Sequence, residues 1–422
     1  MAGADEKIVF ELAFGDVRSK RIETPNDFIS HMIEHIAWRL GCSIDLQWPN
    51  DDWTLLGRTL GARIGSFAPV RQAAAAQGML DDGSAEARIA LGGTGSLEIR
   101  AAETVDLDWF LSLRCEQLPT GRLLVELLTG LAQGAPAKLS VTVFNHEDTH
   151  HSWEGVFRAV GVALNKIYAP PVQTGTFSTA VETDVSAGDI TVASRSAYVA
   201  EIKRHTAETG LSVTVDFEKM QPSRFRYEGA PIAHYAETNA LESFRELLHL
   251  FADSAGFSVQ AVFSSKMLSS SHVLLEDTGM VVGRALREVL VKRMMDLGVN
   301  GAGSSLERPE DFEQQKITVG VSVEGRKFWR FMPLRSTYDD IKRRLIIGQT
   351  IMNGLFTEDL DDFLDGLSWG LGCSIAIHVK DLPPAEAAWR MIFENLGQAL
   401  REVFDINPYR KGVSAGVKAN LS

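Results

Sequence analysis

Leu40-Gly-Cys-Ser-Ile44 and Leu371-Gly-Cys-Ser-Ile375 are the same five residues, and each sits where an amphipathic helical run gives way to an alternating strand. The first run is Asn26–Leu40, followed by the strand pattern Cys42–Trp48; the second is Leu360–Gly372, followed by Cys373–Val379. An echo of this kind calls for a search for repeats before anything else. Working outward, four versions of one pattern emerge: strands, a helix, a strand, and a closing helix. Copy one runs Lys7–Phe14, Asn26–Leu40, Cys42–Trp48 and Thr54–Gly65. Copy two reads as strands Ser96–Glu103 and Trp109–Glu116, helix Gly121–Gln133, strand Ala137–Phe144 and helix Ser152–Tyr168. Copy three reads as strands Ser196–Arg204 and Gly210–Phe217, helix Ala240–Gly256, strand Phe257–Phe263 and helix Leu274–Met294. Copy four reads as strands Lys316–Gly325 and Arg326–Phe331, helix Leu360–Gly372, strand Cys373–Val379 and helix Ala385–Phe404. Three closing helices share Gly-x-Ala-Leu, at Gly161–Leu164, Gly283–Leu286 and Gly397–Leu400. The expected fold class is α+β, built from four ββαβα-type half-domains with helices packed on one face of mixed sheets. The stretch Ala169–Ala187, rich in Pro, Thr, Ser and Gly, predicts the main break. The expected division is a first unit over 1–170, a linker over 171–190 and a second unit over 191–422, with a weaker linker at Gly298–Pro309.

Composition narrows the function classes. The 422 residues are 45% hydrophobic and 23% charged, as in ordinary globular chains. No run of eighteen apolar residues exists, so no membrane span is expected. Met1–Leu12 enters a strand pattern with neither a basic nor an apolar leader region, so no signal peptide is expected. The three cysteines, Cys42, Cys115 and Cys373, are odd in number and far apart, which points to a reducing, cytoplasmic setting. A net charge of -13 without a basic aromatic stripe argues against nucleic acid. A small anionic substrate in a local basic pocket remains compatible with it.

The chemistry concentrates at Asn145-His-Glu-Asp-Thr-His150-His151-Ser-Trp-Glu154, a helix start. Spacings of three and four put His150, His151 and Glu154 on one side. Imidazole with carboxylate suits a divalent first-row metal such as Mn, Fe or Zn. The plain alternative is a polar helix start whose Glu complements the dipole. His272 and Glu276 in copy three are also four apart, as are His31 and His35 in copy one. Each pair alone reads as readily as a surface or core pair. In copy four, Pro383-Pro384 before Glu386 reads as a helix entry, and His378 on the preceding strand is a minor candidate.

These residues together resemble imidazoleglycerol-phosphate dehydratase, a manganese-dependent family that is itself an internal duplication with a His-His-x-x-Glu motif in each half. Arg21-Ile-Glu-Thr-Pro-Asn-Asp-Phe-Ile-Ser-His31-Met32 resembles its first helix entry, with His31 at the ligand position. His150-His151-Ser-Trp-Glu154 with Phe157–Leu164 resembles the second-half motif. Arg204-His-Thr-Ala-Glu208-Thr209 resembles the family's N-terminal stretch. His272-Val-Leu-Leu-Glu276-Asp277-Thr-Gly279 resembles the first-half motif. Val321-Ser-Val-Glu-Gly325-Arg326 and Gly412-Val-Ser414-Ala-Gly-Val-Lys418 resemble the segments that contact phosphate in the family. The likeness covers nearly the whole chain as two tandem units, and implies the fold of ribosomal protein S5 domain 2.

The departures are equally specific. Around Asp51–Leu56 the first copy lacks the ligands. Val273 replaces a His in copy three, whose first helix offers only His249 nearby. Copy four has Arg390 for the Glu and, read against the family's Phe-Leu-Asp-His, Gly366 for the His. The losses look complementary, so a composite site of the two units is one expectation, and Glu276→Ala should then cost metal. The resemblance implies metals at His31, His150, His151, Glu154, His272 and Glu276. It implies proton transfer by Glu154 or Glu276, and phosphate contacts from Arg326, Ser414 and Lys418. The implied activity is a metal-dependent hydro-lyase of histidine biosynthesis, acting on a phosphorylated imidazole or related substrate within a high-order homo-oligomer. Arg326 and Lys418 read without the resemblance are surface charges. Two further readings stand beside this one: a repurposed paralogue that binds or scaffolds, and a one-metal enzyme on another substrate.

Overall fold

The computed structural model describes every residue except 1–7, 16, 18, 81–82, 171–188, 207–208, 220, 233–234, 236–237, 266–267, 269–270, 307–313 and 416–422. Contacts divide the chain into Met1–Glu182 (unit 1) and Thr183–Ser422 (unit 2).

Unit 1 has strands β1 (Val9–Phe14), β2 (Lys20–Glu23), β3 (Cys42–Gln47), β4 (Ala73–Leu80), β5 (Gly83–Leu91), β6 (Ser96–Ala101) and β7 (Ala137–Val143). Its helices are α1 (Asp27–Leu40), α2 (Trp53–Gly65), α3 (Leu107–Ser112), α4 (Arg122–Gly134) and α5 (Thr149–Tyr168). Unit 2 has β8 (Asp189–Arg195), β9 (Val199–His205), β10 (Thr209–Asp216), β11 (Arg224–Gly229), β12 (Ser258–Ser265), β13 (Ala302–Ser304), β14 (Ile317–Val323), β15 (Phe328–Pro333), the short ladder β16 (Thr350–Ile351) with β17 (Leu355–Phe356), and β18 (Cys373–Val379). Its long helices are α6 (Ala240–Ala255), α7 (His272–Asp296), α8 (Thr357–Leu371) and α9 (Ala385–Phe404). The sheets are ordered β1-β3-β2, β4-β5-β7-β6, β11-β12-β10-β9-β8 and β13-β14-β18-β15. One motif recurs in all four. The strand that follows the first helix lies between an antiparallel and a parallel neighbour, as β3 lies between β1 and β2 and β18 between β14 and β15. The α+β fold of four repeats is therefore as expected.

The helices pair crosswise within each unit. α1 packs on α5 and α2 on α4; α6 packs on α9 and α7 on α8. α1 presents Phe28, Ile29, Met32, Ile33, Ile36, Ala37 and Leu40 as its buried stripe. The Asn26 side chain caps its start and Gly41, at φ 89°, ends it. Where helices meet most closely, only glycine fits: a Cβ on Gly57 would lie 2.0 Å from the Leu127 carbonyl, and one on Gly366 would lie 2.1 Å from the Glu276 carbonyl.

Three sequence expectations change. Trp109–Glu116 is not a strand: Asp106 caps α3 by accepting from the Trp109 amide, and a tight turn follows. The strands of that copy are β5 and β6, flanked by β4, and the Ala-rich Ala73–Leu80 carries no β-branched signal to announce it. Its small residues let α5 lie close on the sheet; a Cβ on Gly78 would sit 2.2 Å from the Gly155 carbonyl. Gly298–Pro309 holds β13, paired to β14, in place of a bare linker.

Candidate metal centre

The pairing of α1 with α5 brings two distant sequence signals together in unit 1. Glu154 Oε1 lies 2.6 Å from His31 Nε2, 2.7 Å from His35 Nε2 and 3.5 Å from His150 Nε2. The two α1 imidazoles approach each other to 3.2 Å. His31 and His35 share a helix face through their spacing of four, and Glu154 faces them from α5. The Glu154 side chain is 3% exposed. Burial alone would raise its pKa, but the bonds from His150, His31 and His35 outweigh that and hold it well below the carboxylate range. Burial pushes His35 down to about 4, so it is neutral near pH 7 with a lone pair to give. Burial would also lower His31, yet Glu154 and Glu34 keep it raised.

The donor set fits a divalent ion. His31, His35 and Glu154 offer ligand atoms within 4.8 Å of one another. Glu154 Oε2 is buried and has no hydrogen-bond partner among the described residues. A buried carboxylate oxygen left so is costly unless a cation or water meets it.

His150 turns its other nitrogen away: Nδ1 is bonded to Glu116 Oε1 at 2.9 Å. His151 is buried beside Asp148, with Nδ1 3.9 Å from Oδ1, while Asp148 caps α5 by accepting from the His151 amide at 2.8 Å. Its spacing suggested convergence on Glu154; in unit 1 it also stands beside this capping carboxylate. At the equivalent start of α2, Asp52 caps the helix by accepting from the Leu55 amide, which gives that acid a structural role.

Unit 2 keeps its residues at the other kind of pair, α7 with α8. His272 Nε2 lies 3.5 Å from Glu276 Oε2 and its Nδ1 lies 2.7 Å from Asp362 Oδ2. The counterpart of His31 here is Asp362, not Gly366: His31 precedes the capping Gly41 by ten positions, and Asp362 precedes the capping Gly372 by ten. Gly366 corresponds to His35, and its close approach to Glu276 leaves no room for a side chain. At α6 with α9 the same counting gives Glu246 and Arg390, and these form an exposed ion pair at 3.6 Å. His249 is exposed, and His378 stands half-buried on β18. Asp277, next to Glu276, is paired with Arg204, yet burial raises it to about 6. Arg326 is exposed in the turn between β14 and β15, and Ser414 is exposed with its carbonyl accepting from Arg410. Lys418 and Glu208 lie outside the described residues.

Sequence reading missed Glu116, Glu34 and Asp362. Asp362 was reachable by counting back from the repeated Leu-Gly-Cys-Ser-Ile. Glu116 carries no periodic signal, because it sits in a turn.

The imidazoleglycerol-phosphate dehydratase family profile matches residues 24–164. The dehydratase of Streptococcus sanguinis (strain SK36) is 26% identical over 219 residues, 51% of this chain and 96% of that relative. The histidine biosynthesis bifunctional protein HisB of Legionella pneumophila (strain Lens) is 26% identical over 217 residues, 51% of this chain and 53% of that protein. A crystal structure of IGPD from Pyrococcus furiosus is 20% identical, covers 49% of this chain and 94% of its own, and gives a TM-score of 0.33. The α1–α5 cluster falls inside the matched residues, and over this stretch the chain is similar to the imidazoleglycerol-phosphate dehydratase family.

Proposed function

We propose that this protein is a metal-dependent hydro-lyase that dehydrates imidazoleglycerol phosphate or a close relative in histidine biosynthesis, with its working centre in unit 1. The observation that carries the reading is Glu154: a buried carboxylate with three imidazole nitrogens on one oxygen and no described hydrogen-bond partner on the other. His31, His35, His150 and Glu154 would hold the metal, with Mn the expected ion and Fe or Zn the alternatives. When bound, the ion supplies Lewis acidity toward the substrate's imidazole. Around it, His35 is neutral and can ligate at pH 7, and Glu154 is ionised. His151, also on α5, is a further proposed ligand; in unit 2 the His272–Glu276 pair is a separate proposed donor pair, with Glu276 a second proton carrier. Arg326, Ser414 and Lys418 are the proposed phosphate contacts; Arg offers a bidentate grip and Lys a point charge. Assembly into a high-order homo-oligomer and a cytoplasmic location belong to the same proposal; three buried free thiols suit a reducing compartment. No helix among the described residues is long and apolar enough to cross a membrane.

The test is dehydration of imidazoleglycerol phosphate by the full chain loaded with Mn, against the chelated protein and Glu154→Ala. Turnover that needs Mn and disappears in the variant supports the reading. A loaded, folded wild-type chain with no turnover overturns it and favours a binding or scaffolding paralogue.

A further inference from the structure

The turn that carries Glu116 is built against its own backbone preference. Cys115 and Leu118 exchange two backbone hydrogen bonds, 3.0 and 2.9 Å, leaving Glu116 and Gln117 at the tip. Glu116 has φ +50°, a conformation that glycine or asparagine adopts with less strain. A carboxylate at a turn tip ordinarily reaches for water. This one is 6% exposed and accepts from Nδ1 of His150, itself 8% exposed, at 2.9 Å. Its neighbour Gln117 bonds Asp27 twice, by amide oxygen to the backbone at 2.8 Å and by amide nitrogen to the carboxylate at 2.9 Å. The same two-residue tip therefore holds the start of α1 and the start of α5, the two helices that supply the centre.

Unit 2 reaches the same orientation by another route. His272, the counterpart of His150, has Nδ1 2.7 Å from Asp362 and Nε2 3.5 Å from the glutamate four residues on. His150 has Nε2 3.5 Å from the glutamate four residues on as well. The carboxylate at Nδ1 comes from a turn in one unit and from a helix in the other. In unit 2 the Nδ1–Asp362 approach is an ion-pair contact outside hydrogen-bond geometry, so what the units share is the side of the ring that faces a carboxylate. An imidazole that donates Nδ1–H to a carboxylate leaves the Nε2 lone pair free to ligate.

We propose that Glu116 is a positioning residue that holds the His150 ring with Nδ1–H on its own carboxylate and Nε2 turned to Glu154, where a cation would take that nitrogen's lone pair. The inference rests on the metal reading above only for its affinity arm; the tautomer is a property of the metal-free chain. The experiment is magic-angle-spinning NMR of the full chain labelled with 15N-histidine, with His150→Gln assigning the signal, alongside titration with Mn2+ alone. Glu116→Gln keeps an acceptor oxygen and should keep the Nδ1–H tautomer, with Mn2+ affinity within a few-fold. Glu116→Gly relieves the backbone but unpairs buried His150, so its melting temperature should fall less than that of Glu154→Ala, while the tautomer becomes mixed and Mn2+ affinity falls about 10–100-fold. An unchanged His150 tautomer in Glu116→Gly overturns the proposal, whatever the metal does. A changed tautomer with unchanged Mn2+ affinity overturns it too. If the wild-type chain binds no Mn2+, the functional reading fails, and the tautomer comparison alone decides the role of Glu116.

Discussion

Unit 1 and unit 2 share the recurring helix–strand–helix motif, to which unit 2 adds β8, β9 and the β16–β17 ladder, yet they keep chemistry at different helix pairs. In unit 1 the donors gather where the first helix meets the last, α1 on α5, around a buried glutamate. In unit 2 they gather where the two inner helices meet, α7 on α8, and an aspartate stands in the place of His31. The remaining pairs have been turned to other uses. α2 on α4 is a close glycine contact with a capping aspartate nearby, and α6 on α9 carries an exposed Glu246–Arg390 pair. The lesson is that a repeated fold offers equivalent positions, and the identity of a few side chains at each decides whether a position binds, braces or merely solvates.

The comparison breaks first at Glu154. Glu154→Ala should lower metal affinity more than about 100-fold, since a direct ligand matters more than the partners behind it. It should also cost about 3–5 kcal/mol in urea unfolding of the metal-free chain, because it unpairs buried imidazoles. If it proves nearly neutral in both, the two units do not differ as argued. Next is Gly130→Ala, whose new methyl would lie 2.0 Å from the Thr54 carbonyl; overpacking there should cost about 1–3 kcal/mol. The matching Gly366→Ala in unit 2 should cost a similar amount, and a large disparity would mean that the two close contacts are not equivalent.

Smaller effects sharpen the contrast. Removing both members of the exposed pair, with Glu246→Ala and Arg390→Ala, should change stability by less than about 1 kcal/mol. Glu34 gives a pH signature. Burial would raise it, but the bonds to His31 and Lys20 lower it to about 2 from an ordinary 4.5. A depressed carboxylate stabilises the fold above its unfolded pKa, and that gain is lost as pH falls toward the folded value. The melting temperatures of wild type and Glu34→Gln should therefore differ near neutrality and converge as pH falls from about 4.5 to 2. Curves that stay parallel would show that Glu34 is not tied to the centre.

Much of this was legible in the sequence. The repeat and the helix runs follow from hydrophobic spacing, and His31, His150 and Glu154 stand out as ligand types on helix starts. His35 was visible by its spacing of four. The rest depended on information that periodicity does not carry. β4 is alanine-rich and packs under α5 because it is small, so no strand pattern marks it. Glu116 works from a left-handed turn, where neither helix nor strand spacing predicts direction. Asp362 was hidden by reading Phe363-Leu-Asp-Gly366 as the match to a motif, when the distance to the capping glycine gives the true register.

The most direct test of the central claim is the metal content of the purified full chain after Mn loading, by elemental mass spectrometry, in wild type, Glu154→Ala and Glu276→Ala. The account predicts about one tightly held divalent ion per chain, lost in Glu154→Ala and largely kept in Glu276→Ala. Metal kept in Glu154→Ala and lost in Glu276→Ala would contradict it, and would move the centre out of unit 1.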